Sequence, residues 1–98
     1  MTDLNPADAA RPTIALPERL TMAQASATLA RLAPLLQAAV EPVLDASALR
    51  EMDTAALALL LACKRQAADQ GRNLQLTGAP PKLRQLAQLY GVDGLLGL

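Results

Sequence analysis

The chain has 98 residues, with nine acids balanced by nine Lys and Arg, no histidine, phenylalanine or tryptophan, and Tyr90 as the only aromatic. That length makes one domain with a thin core. Zero net charge without a basic cluster or a stacking platform argues against direct binding of nucleic acid or anionic lipid. Cys63 is the only cysteine, so no intrachain disulfide can form, and with no histidine a metal site is not expected. Leu and Ala dominate the 52% of hydrophobic residues, which favours helix over sheet. Arg outnumbers Lys seven to two, a compositional hint of a GC-rich bacterial genome.

Residues 1–12 hold Pro6, Pro12 and early acids, and are read as a flexible N-terminal tail rather than a signal peptide. Thr13 to Leu16 is a short strand candidate stopped by Pro17. From Met22 the apolar positions 22, 25, 29, 32, 33 and 36 follow helix spacing, with Thr21 as N-cap. Pro34 falls inside this helix and is expected to bend it without ending it. After Glu41-Pro42, Val43 to Ala46 reads as a strand covered by helices. Ser47 to Met52 is a connection with room for one turn of helix.

Asp53 is the strongest N-cap in the chain, because its carboxylate suits the free amides and the positive end of the helix that follows. That helix is expected from Thr54 to about Gln70, with Gly71 closing it. Its first half, Ala55 to Cys63, is apolar nearly all round and sits deep. This run is far shorter than the ~20 residues that span a bilayer, so the chain is expected to be soluble and cytoplasmic. Cys63 should pack as a small hydrophobe. Asn73 to Thr77 alternates like a half-buried strand. Gly78-Ala79-Pro80 turns the chain into a helix with Pro81 in its first turn and an inner stripe of Leu83, Leu86, Ala87 and Tyr90. Gly91 ends that helix and Asp93 is expected to cap a last turn, Gly94 to Gly97. Strands alternating with helices define an α/β domain over residues 13–98, with at least partly parallel pairing in a small mixed sheet.

No nucleophile with a base and no phosphate-binding glycine loop is present, and no cofactor is expected. The loop carboxylates Asp45 and Asp53 could in principle act as an acid–base pair, but nothing in the sequence brings them together around a substrate. Thr54 places a hydroxyl beside the free amides of a helix N-terminus, where an added phosphate gains hydrogen bonds and a dipole while Asp53 repels it.

The stretch VLDASALREMDTAALALLLACKRQAADQGRNLQLTGAPPKLRQLAQLYGVDGLL resembles the STAS domain, the fold of bacterial anti-sigma factor antagonists. Asp45, Ser47, Asp53 and Thr54 match the family's strand-end acid, its small or hydroxyl residue and its Asp-Ser/Thr pair, whereas Ala56 stands where the family commonly has glycine. Within the family the chain looks most like the STAS subunits of Mla-type phospholipid-transport ABC complexes. That resemblance implies a non-catalytic subunit, held at the inner membrane through its complex, that supports outer-membrane lipid asymmetry. It also implies that Thr54, with Asp53, Ser47, Ala55 and Ala56, binds the ABC transporter's ATPase subunit, which works with permease and substrate-binding subunits. The alternative it implies is an anti-sigma factor antagonist switched by phosphorylation at Thr54.

Overall fold

The computed structural model describes residues 13–98; the expected tail, 1–12, lies outside them. In chain order the elements are β1 (Thr13–Ala15), β2 (Arg19–Leu20), α1 (Met22–Ala38), β3 (Val43–Asp45), β4 (Glu51–Met52), α2 (Thr54–Asp69), β5 (Gln75–Thr77), α3 (Pro81–Leu89) and α4 (Asp93–Leu96). This is the α/β arrangement that the alternation of strands and helices predicts, and it agrees with the STAS-like fold that the resemblance implies.

The main sheet has the order β1-β3-β5, and every pairing between described strands is parallel. Ile14, Leu44 and Leu76 stand in register across it and point to one face. Ile14 and Leu44 are buried, and Leu76 packs against the same core. The flanking Thr13, Ala15, Gln75 and Thr77 are exposed, so the sheet covers a core on one side only. Helices α1 and α2, the crossovers from β1 to β3 and from β3 to β5, share that core and pack against each other. Strand pairing runs on past the strands: Leu16 donates to the Asp45 carbonyl at 2.9 Å and Ala46 to that of Thr77 at 2.8 Å.

The connection from Ser47 to Met52 is not a helical turn. Its end forms β4, which pairs with β2 through Arg19–Glu51 and Leu20–Met52. This clip joins the two loops that leave β1 and β3. It also drives apolar side chains inward, since Leu16, Leu20, Leu49 and Met52 are all buried.

Helix α1 begins with a capping box: Thr21 accepts from the Ala23 amide, and the Gln24 side chain accepts from the Thr21 amide. The helix runs unbroken through Pro34. Pro34 and Ala30, whose carbonyl loses its partner, both lie on the exposed side, where water can satisfy that carbonyl. Thr28, Leu32 and Leu36 are the buried positions. Met22, which follows the same helix spacing as the inner residues, is instead 80% exposed, at the first position of the helix. The last turn of α1 has no glycine stop. Its carbonyls are taken by Arg72, whose guanidinium donates to Leu36 at 3.2 Å, to Ala39 at 2.7 Å and to Gln37.

In α2 the buried residues are Ala56, Leu57, Leu59, Leu60, Cys63 and Ala67. Gly71 closes the helix in the left-handed region, with its own amide on Ala68 and the Arg72 amide on Ala67. In α3, Leu83 and Ala87 are buried, but Tyr90 is 57% exposed. The helix ends at that point, so Tyr90 leaves the stripe that its spacing predicts. Asp93 is the first residue of α4 rather than its cap; Val92 holds the cap position without a side-chain bond.

Candidate docking site

Parallel strands bring their C-terminal ends to one edge, and the loops leaving β1, β3 and β5 gather there. At the end of β3, Asp45 turns back to accept from the Ser47 amide at 2.9 Å. That backbone bond first, and then the Ser47 hydroxyl, hold the Asp45 carboxyl below its ordinary 3.8. Gly78, following β5, packs against this turn. A Cβ on Gly78 would come within 2.9 Å of Asp45 Oδ1 and 3.0 Å of Ser47 Cβ, and its φ of +67° is left-handed.

Asp53 caps α2, with Oδ1 accepting from the Ala55 amide at 2.8 Å. Its other oxygen, Oδ2, accepts from the amide of Met22, the first residue of α1, at 3.1 Å. One carboxylate therefore serves the N-termini of two adjacent helices and meets both positive dipole ends. The clip between β2 and β4 ends on the residues just before these termini, so it sets them level.

The consequence is a shared face. Thr54 is exposed at the first position of α2. One turn on from it is Ala58, and one turn on from Met22 are Ala25 and Ser26. Ala25, Ser26 and Leu29 of α1, with Ala55, Ala58, Leu59 and Ala62 of α2, line a groove of about 350 Å³. Small side chains keep the two helices from filling the space between them. Met22 and Thr54 stand at the head of this groove, an apolar side chain and a hydroxyl.

Of the residues expected to meet a partner, the structure brings Asp53, Thr54 and Ala55 together. Ser47 is exposed on the same sheet edge, beside Gly78. Ala56 is fully buried and belongs to the core, because it is the α2 residue that turns under the cap. Met22 and the groove residues of α1 were missed by sequence reasoning. The Met22–Asp53 bond joins residues 31 apart, and no local pattern reports it.

Asp45 and Asp53 are each engaged with backbone amides. Among the described residues no group of three or more Cys, Asp and Glu gathers as a metal site. Cys63 is buried, and burial pushes its thiol up to about 11. No helix among the described residues is long and apolar enough to cross a membrane.

A one-sided parallel sheet with level helix N-termini over an open groove defines a small α/β module. A family model described as "Mlab, STAS domain" matches residues 5–97, and the chain belongs to the STAS domain family. STAS domains are in general regulatory or binding domains rather than catalysts. Nothing among the curated proteins matches the chain.

Proposed function

We propose that this chain is a non-catalytic subunit that docks, through the face headed by Met22 and Thr54, on the ATPase of an Mla-type phospholipid-transport ABC complex. In that setting it supports the assembly or activity of a transporter that maintains outer-membrane lipid asymmetry. The observation that carries the reading is the double cap at Asp53. It holds two helix ends level and presents an exposed apolar side chain, a hydroxyl and an open groove as one rigid surface. The description of the matching family model supports the choice of partner.

The same geometry favours a fixed contact over a phosphate switch at Thr54. The Ala55 amide is bound by the Asp53 carboxylate and the Ala56 amide by the Asp53 carbonyl. A phosphate on Thr54 would meet committed donors and a like charge.

The test is a pull-down of the tagged chain from its own membranes and cytosol, followed by affinity measurements on the recovered partner. An ABC ATPase is the expected catch. Thr54→Glu should weaken binding strongly by placing a charge in the interface. Thr54→Ala should cost on the order of 1 kcal/mol, through loss of a hydroxyl contact. Full affinity in both variants would remove Thr54 from the interface. Recovery of a protein kinase, with binding that follows phosphate on Thr54, would favour the antagonist reading instead.

A further inference from the structure

A second groove, of about 440 Å³, lies between α2 and α4 and is lined by Leu61, Lys64, Arg65, Ala68 and Leu95. It is chemically unlike the first. The α2 members are spaced i, i+3, i+4 and i+7, the stripe that one helix offers to another. Its ends are apolar and its middle carries two cations. Across the groove, Leu95 of α4 is 64% exposed. Among the described residues, neither Lys64 nor Arg65 makes an ion pair or a side-chain hydrogen bond. The acids of the same two helices, Asp69 and Asp93, do not pair with them either.

We infer that this groove is a docking site for an acidic amphipathic helical segment of a protein partner, one that sets apolar side chains against Leu61, Ala68 and Leu95 and carboxylates against Lys64 and Arg65. Charge complementarity selects the occupant. Carboxylates on the segment can pair with both cations, which a wholly apolar segment leaves unpaired, and a basic one would be repelled. The stripe starts two helical turns along α2 from Thr54, so the domain can hold this segment and the partner of the Met22–Thr54 face together. The inference does not depend on what that other partner is.

The probe is a synthetic helical peptide with leucines at i and i+7 and glutamates at i+3 and i+4, beside a counterpart with lysines for the glutamates. Both are titrated into the ¹⁵N-labelled chain. The expected result is saturable movement of the amides of Leu61, Lys64, Arg65, Ala68 and Leu95 by the glutamate peptide. A preference of about tenfold or more over the lysine peptide is expected, falling as salt rises. The Lys64→Glu/Arg65→Glu variant should reverse that preference. Leu95→Ser should weaken the glutamate peptide several-fold with an unchanged Tm, because Leu95 is exposed. Equal binding of the two peptides, movement confined to the Met22–Thr54 face, or no saturable movement would overturn the inference. A stronger response to phosphatidylglycerol vesicles than to the peptide would overturn it too, by assigning the groove to an anionic surface.

Discussion

Gly78 and Gly71 have almost the same left-handed φ, +67° and +70°, but different surroundings. A Cβ on Gly71 meets nothing within 4 Å, whereas on Gly78 it strikes the Asp45–Ser47 turn. Gly71→Ala should therefore cost only the ~1–2 kcal/mol of a left-handed alanine. Gly78→Ala should cost clearly more in urea denaturation, with the excess reporting the contact at the site edge. Cys63 makes the opposite kind of residue-scale statement. Its thiol is held neutral by burial, so it should resist alkylation in the native chain at neutral pH and react once urea unfolds it. A pKa raised in the folded state from 9.0 to about 11 gives stability that is complete below pH 9 and declines as pH rises through the folded value. A Cys63→Ala chain should lose that alkaline decline, whatever its baseline stability. Asp53 shows how far a single residue can be read. Its bond to Ala55 follows from the Asp-Thr pair before an apolar run. Its bond to Met22 required the fold.

At the scale of elements, α2 was the most legible part of the chain, because an N-cap, a long apolar run and a closing glycine agree. The three main strands were found within a residue or two. The β2–β4 clip was invisible, since strands of two residues have no period. The stripes of α1 and α3 were right except at one end of each, where Met22 begins one helix and Tyr90 follows the other, and both are exposed. Helical spacing says which residues share a side, not where the neighbouring layer stops. Pro34 remains a local conflict inside an intact helix. Its cost is borne at an exposed position, so Pro34→Ala should restore a backbone bond without disturbing packing. The variant should be more stable by about 1–3 kcal/mol, read as a higher urea midpoint at unchanged m-value. Destabilisation would mean that the proline ring serves a contact.

On the scale of the whole molecule, β3 is the only strand among the described residues that is paired on both flanks, in a sheet covered on one side. Leu44, at its centre, is fully buried. Native-state hydrogen exchange should find the β3 amides slowest and those of the β2–β4 clip among the fastest, because short pairings near solvent open first. The clip would then be the soft part of the edge that carries the docking face, and a partner bound there should slow its exchange by linkage. Arg72 adds a dependence of another kind. The end of α1 is finished by a side chain 33 to 36 residues further along, placed by the turn that leads into β5. During synthesis, α1 and α2 can both leave the ribosome while the last carbonyls of α1 still face water. Only when residue 72 is in hand can the first helix be closed, so the domain reaches its native state late, and a chain cut at Gly71 is left with an open helix end as well as a missing strand.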